Sequence, residues 1–185
     1  MARFLIPLVL SASVASVAVA QESPSETPDS ATPEIFAERD MTPSRVARIA
    51  QALDPEAELG LNGVQLTIAD VPVLIVMDPV ADRMRAMVPI RDASEMSAEE
   101  LARVMQANFD TALDARYAIA RGRLWAVFIH PLSPLKRDQL ISGIGQTVNI
   151  ALTYGSAYSG GALSFGGGDS GSLLLEELQK RGQEL

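Results

Sequence analysis

Residues 63–77 have the sequence GVQLTIADVPVLIVM, and this stretch decides the fold. Val64 to Ile68 alternates apolar and polar side chains, the pattern of a strand with one buried face. Ala69 to Pro72 contains turn-forming residues, and Val73 to Met77 is then apolar at every position. Because successive strand side chains point to opposite faces, the second strand needs apolar cover on both sides. The stretch therefore predicts two antiparallel strands in a sheet that needs apolar cover on both of its faces.

A helix precedes this strand pair. Thr42 is suited to the N-cap, and Pro43 fits the first helical position, where a missing N–H costs nothing. Apolar residues then recur with the helical period. They predict one buried stripe, formed by Val46, Ile49, Ala50 and Leu53.

A third strand and a second helix follow the pair. Residues 84–90 alternate apolar with other side chains and predict a strand whose solvent side is basic. Ser97 and Glu100 have the spacing of a capping box, in which each side chain satisfies a backbone N–H at a helix start. The predicted buried face of this helix consists of Leu101, Val104, Met105, Phe109, Ala112 and Leu113.

The remaining apolar runs complete the domain. Tyr117 to Ala120 and Leu124 to Leu132 predict a hairpin that turns at Gly122-Arg123, and Ser133-Pro134 predicts the start of a third helix. Short connections within each strand group require antiparallel neighbours. The fold class is therefore α+β, a mostly antiparallel five-stranded sheet with three helices in the order α-β-β-β-α-β-β-α.

Residues 1–20 predict a cleavable secretory signal. A positive start at Arg3 precedes an apolar run, and Ala18-Val19-Ala20 has the small-x-small pattern that signal peptidase recognises. Cleavage is expected between Ala20 and Gln21. The chain is thus expected in the periplasm or outside the cell, with no transmembrane span after signal removal.

Composition divides the mature chain. Residues 21–40 are rich in Pro, Ser and acidic residues and predict a disordered leader, residues 41–155 form the folded domain, and residues 156–171 predict a Gly/Ser-rich linker. Residues 172–185 predict a short amphipathic helix. Such a helix is marginal alone, so we expect it to order when its own domain, a second copy or another protein covers its apolar side. That side is formed by Leu174, Leu175 and Leu178.

The composition excludes several function classes. The chain has no cysteine, which removes disulfides, thiolate metal sites and cysteine nucleophiles. Its formal charge is −8 and becomes more negative when Arg3 is removed, which opposes nucleic acid and anionic lipid as partners. We expect no metal and no cofactor. Gly143-Ile144-Gly145 lacks a third glycine for a dinucleotide loop and predicts close helix packing instead.

His130 is the only histidine, at a predicted strand end. One hypothesis is a small periplasmic enzyme that uses His130 with carboxylate partners; the other is a structural histidine at a strand edge. No nucleophile elbow supports the enzyme, and the protein is expected not to be one. Asp78 with Asp82 and Asp110 with Asp114 lack calcium-loop spacing and are interpreted as solvated acids.

A candidate partner-binding face follows from the doubly apolar strands. One side of the sheet must pack against the helices, and the other must be covered by a second copy in a dimer, by a partner or by the C-terminal helix. The alternative is that helices of one chain cover both sides. The residues predicted to bind a partner are Leu74, Val76, Trp125, Val127 and Ile129.

The order of elements resembles the type III secretion chaperone-like fold, shared by the CesT/Tir chaperones and the YbjN family. The resemblance covers residues 43–155. It rests on residues 63–67 leading into Val73 to Val76, on Leu101 to Phe109, and on residues 117–119 followed by 124–127. It implies a non-catalytic protein that forms homodimers and presents apolar surface to a segment of a partner protein.

Overall fold

The computed structural model describes residues 38–61, 63–160 and 170–183, and the side chains of 170–175 and 183 are not among what it describes. The predicted signal and its cleavage site, most of the leader, and the side chains of Leu174 and Leu175 therefore lie outside the described residues. The helices are α1 (Pro43–Leu53), α2 (Ala98–Asp110), α3 (Arg137–Leu152) and α4 (Ser170–Gln183). The strands are β1 (Glu58–Leu59), β2 (Gly63–Ile68), β3 (Val71–Asp78), β4 (Arg83–Asp92), β5 (Arg116–Ala120) and β6 (Arg123–Pro131).

Within the described residues the sheet has six strands in the order β1-β2-β3-β4-β6-β5, and every neighbouring pair is antiparallel. The fold class is α+β as predicted, but the counts of five strands and three helices are wrong. The additional strand, β1, contains two residues that pair with Gln65 and Val64. A strand that short has no alternation to detect. The fourth helix, α4, is the one predicted separately at the C-terminus.

One face of the sheet carries the hydrophobic core, and we call it the helix face. A buried row crosses four strands in register, formed by Val64, Ile75, Ala86 and Phe128. The helix α3 packs on β3, β4 and β6 of this face, and α1 packs on β2. Helix and sheet come closest at Gly143, where an added Cβ atom would lie 2.5 Å from the Phe128 ring. The close packing predicted for Gly143 is confirmed.

The position of α2 differs from the prediction. Its capping box is present, because Ser97 N–H donates to Glu100 Oε2 at 2.9 Å and Glu100 N–H donates to Ser97 Oγ at 3.1 Å. Val104 is buried as expected. However, Met105 is 65% exposed and Phe109 is 93% exposed, so their assignment to the buried face is wrong. The helix is rotated about its axis, and Asn108 occupies an inward position beside β5.

The start of α3 also differs. The helix begins at Arg137, not at Ser133-Pro134. Ser133 instead holds the end of β6 to the turn before β4, since its N–H and hydroxyl donate to the two carboxylate oxygens of Asp82 at 2.7 and 2.9 Å. Glu38 Oε1 accepts the Arg137 N–H at 2.9 Å and so caps α3. Burial opposes ionisation of Glu38, but bonds from Arg137 and Arg45 lower its pKa on balance.

Three tyrosines fix the chain after α3. The rings of Tyr117, Tyr154 and Tyr158 meet edge to face, with centroids 5.7–6.2 Å apart. Tyr117 donates its hydroxyl to the Ile150 carbonyl at 2.6 Å, and burial raises the pKa of that phenol. Residues 158–160, which the sequence assigns to the linker, are buried beside α2, where Gly160 N–H bonds the Thr111 carbonyl at 2.8 Å.

Candidate functional site

The side of the sheet opposite the helix face is called the outer face, and the structure brings all five predicted partner-binding residues together on it. Leu74 and Val127 lie in register with Met87 between them. Val76 and Ile129 lie in the next row, on either side of Arg85. Trp125 shares the face with Val127 because the two are separated by two positions on one strand.

The outer face leaves apolar side chains in contact with solvent. Val76 is 44% exposed and Ile129 is 58% exposed, whereas Leu74 and Trp125 are half-buried. Val127 is buried, at the centre of the row. The helices α1 and α3 contact the sheet from the helix face, and α2 contacts β5 at its edge. The outer face thus carries exposed apolar side chains on either side of Arg85, and Arg83 and Arg116 lie at the margins of the same face.

Trp125 is fixed within its own hairpin. Its indole N–H donates to the Ala120 carbonyl at 3.1 Å. The hairpin turns at Arg121 and Gly122, both with positive φ (52° and 73°), one residue earlier than predicted. Because the polar atom of the indole is already satisfied, Trp125 contributes apolar ring surface to the outer face.

A cleft of about 550 Å³ lies at the edge of the sheet between β6 and α3, and we call it the His130 cleft. It forms beyond the first residue of β5: Arg116 pairs with Val127, and no described strand pairs with residues 128–131 on that side. Ile129 belongs to both the cleft and the outer face. The cleft is lined by Asp114, Arg116, Phe128, Ile129, His130, Asp138, Gln139 and Ser142.

His130 has a defined orientation in this cleft. Its ring stacks on Phe128 with 6.0 Å between centroids and 17° between planes. Its Nδ1 lies 2.7 Å from the Pro131 carbonyl. Because a carbonyl only accepts, Nδ1 donates a proton to it. Nε2 has no hydrogen-bond partner among the described residues.

A buried amide holds one wall of the cleft in place. Gln146, 6% exposed, accepts the N–H groups of Asp114 and Ala115 at 2.9 and 3.1 Å. Its Nε2 donates to Asp114 Oδ2 at 3.2 Å and to Ser142 Oγ at 3.1 Å. The three bonds to Asp114 and Ala115 join α3 to the loop before β5. They fix the Asp114 carboxylate relative to the helix.

The sequence did not identify most of these cleft residues. His130 was singled out as the only histidine, and Asp114 was considered only with Asp110. Arg116, Asp138 and Ser142 carry no local signal, since the cleft joins residues from β5, β6, α3 and the α2–β5 loop. No described hydroxyl or carboxylate bonds the imidazole, so His130 is not joined to a nucleophile among the described residues.

The C-terminal helix lies away from the outer face. It packs on α3 and α1. Leu178, 1% exposed, joins the hydrophobic core, and Arg181 donates to the Leu53 carbonyl at 3.4 Å. The described part of α4 therefore packs on α3 and α1, on the helix-face side of the sheet, and does not cover the outer face.

No protein-family description matches the sequence, and no curated protein is similar to it. Among solved structures, the chain is similar to the Yersinia pestis type III secretion chaperone SycH, solved in complex with a stable fragment of YscM2. The identity is 14% and the TM-score 0.44, and the match covers 58% of this chain and 97% of that chain. The predicted resemblance to a type III secretion chaperone is confirmed at the level of fold alone. No helix among the described residues is long and apolar enough to cross a bilayer.

Proposed function

We propose that this protein is an exported, non-catalytic binding protein that holds an apolar or amphipathic segment of an envelope partner protein on its outer face. The observation that supports this is the exposure of Val76 and Ile129 on the outer face, on either side of Arg85. Fully burying an exposed aliphatic side chain contributes about 1.5–3 kcal/mol, and Val76 and Ile129, 44% and 58% exposed, would each contribute about half of that. An amphipathic helix or strand that covers both would bring enough apolar area for recognition.

Arg85 adds a charge requirement. It lies between Val76 and Ile129 and has no ion-pair partner among the described residues. An apolar segment that covered it without a counter-charge would leave a buried cation unpaired, which is costly. The preferred segment therefore carries an acidic or amide group between its apolar residues.

Site-specific photocrosslinking in intact cells tests the proposal. A photoreactive residue at Val76 or Ile129 should capture the same partner, and Ile129→Asp should abolish capture from Val76. Val80 is the matched control, because it is fully exposed in the turn between β3 and β4. Equal capture from Val80, or none from either face position, contradicts the proposal. N-terminal sequencing of the periplasmic protein should begin at Gln21.

We further propose that two copies associate through the outward side of α2. Phe109 and Met105 are one turn apart there, both exposed, and Ile119 on the neighbouring strand β5 is also exposed. Light scattering of the mature chain should give the mass of a dimer, and Phe109→Glu should give a monomer. Gln106→Glu, at an exposed position of the same helix, is the control. A monomeric unsubstituted chain rejects this part of the proposal.

A further inference from the structure

We infer that the His130 cleft binds a primary carboxamide, the group at the end of an asparagine or glutamine side chain, through the backbone N–H and carbonyl of Ile129. The carboxamide comes from the partner segment, and in this respect the inference rests on the proposed function. Recognition is assigned to the main chain of β6, at the edge that β5 does not cover. The side chain of Ile129, which lies on the outer face, is not involved.

The backbone groups of Ile129 point into the cleft. Along an antiparallel strand, alternate residues direct their N–H and carbonyl groups to opposite neighbours. Tyr117 directs its groups to the Asn108 amide, away from β6. The preceding residue, Arg116, therefore points toward β6, where it pairs with Val127. Ile129 follows Val127 by two positions and points to the same side, and no described residue bonds its N–H or carbonyl there.

The gap at this edge is one residue long. On one side β5 begins, at Arg116. On the other side Met41 N–H donates to the Ser133 carbonyl at 2.9 Å. Pro131, which lies between them, has no N–H, and its carbonyl already accepts from the imidazole of His130. The edge therefore offers one donor and one acceptor side by side, and a partner strand longer than this gap would have to displace Arg116 or Met41.

Gln146 keeps the gap open. Continued backward by two residues, β5 would place Asp114 opposite Ile129. The Asp114 N–H instead donates to the buried side chain of Gln146 at 2.9 Å. This bond holds the loop on α3 and away from β6. The gap is therefore a fixed feature of the fold.

A carboxamide matches the two open backbone groups. Its oxygen accepts from an N–H, and its nitrogen donates to a carbonyl, within one planar group. The same arrangement exists elsewhere in this protein, where Asn108 bonds the N–H and carbonyl of Tyr117 at 2.6 and 3.0 Å. A carboxylate has no donor for the carbonyl, and an ammonium has no acceptor for the N–H. A side-chain amide can enter the cleft of about 550 Å³ without displacing either neighbour of the gap.

Amide hydrogen exchange of the mature chain tests the open edge. The N–H of Ile129 should exchange quickly, because no described group bonds it. The N–H groups of Phe128 and His130 face β4 and should be protected. Protection of Ile129 to the same degree as its two neighbours overturns the inference.

Three probes with one common backbone test the ligand: the N-acetyl methylamides of asparagine, leucine and aspartate. They are titrated into the isotope-labelled mature chain. We expect saturable NMR shifts of the Ile129 amide with the asparagine probe, and binding at least about tenfold weaker with the other two. Equal binding of the leucine probe would show that backbone amides are recognised, and equal binding of the aspartate probe would show that no donor is needed. Either result, or no binding, overturns the inference.

Variants assign the site. Ile129→Pro removes the N–H at an edge position, as Pro131 already does two residues along the strand, and should weaken the asparagine probe at least about tenfold. Ile129→Ala keeps the N–H, is the matched control and should leave binding unchanged. If Ile129→Pro does not give a native NMR spectrum, Asp138→Trp fills the cleft from an exposed position of α3, with Gln51→Trp on α1 as its control. Unchanged binding in a folded variant of the cleft overturns the inference.

The two proposals fail separately. Val76→Asp lies on β3, away from the cleft, so it should abolish partner capture and leave the asparagine probe unaffected. If Val76→Asp abolishes capture while Asp138→Trp does not reduce it, the carboxamide inference is wrong and the binding function stands. If the probe binds but no partner is captured at Val76 or Ile129, the proposed function is wrong, and with it the assignment of the carboxamide to a partner.

Discussion

The side-chain amide of Asn108 forms two hydrogen bonds with the backbone of Tyr117: Nδ2 donates to the Tyr117 carbonyl at 3.0 Å, and Oδ1 accepts the Tyr117 N–H at 2.6 Å. Tyr117 lies on β5, the edge strand, whose unpaired backbone groups would otherwise face outward. The amide thus replaces a neighbouring strand at one position. This explains the rotation of α2, because an inward Asn108 places Phe109 on the outside.

Asn108→Leu should lower the free energy of unfolding by about 1–3 kcal/mol, because a side chain of similar size cannot make either bond. Urea denaturation followed by circular dichroism measures the change. Gln106→Leu, at an exposed position of the same helix, is the control and should change stability by less than about 0.5 kcal/mol. Equal losses in the two variants would show that the amide does not stabilise the edge.

Sequence patterns predicted features whose partners are close in the chain. The caps at Thr42 and Ser97 satisfy N–H groups three residues away, and the apolar stripe of α1 follows from the helical period. The rotation of α2 depends on Tyr117, and the shift in the start of α3 depends on Asp82, 51 residues before Ser133. No local pattern encodes contacts of this kind.

The candidate site likewise has one part that sequence patterns predict and one part that they do not. The five residues of the outer face were predicted together because strand side chains alternate, a rule that holds within each strand. That helices leave this face open could not be predicted, since it depends on how α1 and α3 pack. The sequence does not predict the His130 cleft as a site, because it exists only where β6 extends beyond Arg116, the first residue of β5.

Gly143→Ala should destabilise the protein by about 1–3 kcal/mol, although alanine is the better helix former, because the new methyl group overlaps the Phe128 ring. Combining it with Phe128→Leu, which removes the ring, should recover part of the loss. A double-mutant cycle in urea measures this coupling. Gly182→Ala, whose methyl group meets only the flexible end of Ile141, is the control and should cost less. Additive losses would exclude the ring contact as the cause.

Asp82 should make stability depend on pH. Bonds from Ser133 lower the pKa of this carboxyl below its ordinary value of 3.8. Its contribution is therefore present above about pH 4 and is lost as the pH falls through the folded pKa. Asp82→Asn should be less stable than the unsubstituted protein at pH 7, and the difference should shrink below pH 4. Urea midpoints between pH 3 and 7 measure it.

Asp70→Asn provides the control for this pH dependence. Asp70 and Asp82 both occupy left-handed turn positions, with φ of 61° and 50°, where asparagine is tolerated. No described group bonds the Asp70 carboxylate, so Asp70→Asn tests the same substitution in a turn without loss of such a bond. A stability difference for Asp82→Asn that is the same at pH 3 and pH 7 would show that ionisation of Asp82 does not matter.

Leu178→Ala should release α4 from α3 and α1. Deleting a buried leucine side chain costs about 2–5 kcal/mol, and a 14-residue helix without its docking contacts is marginal in water. Trypsin reports the release, because residues 138–179 contain no lysine or arginine, so the first cut after Arg137 is at Lys180 or Arg181. We expect cleavage there to be at least about tenfold faster, since each 1.4 kcal/mol of lost docking free energy raises the released population tenfold.

Glu176→Ala, at an exposed position of α4, is the control and should be cleaved at the rate of the unsubstituted protein. If Leu178→Ala also cleaves at that rate, Leu178 does not hold the helix on the domain, and α4 must be retained by other contacts such as that of Arg181 with Leu53.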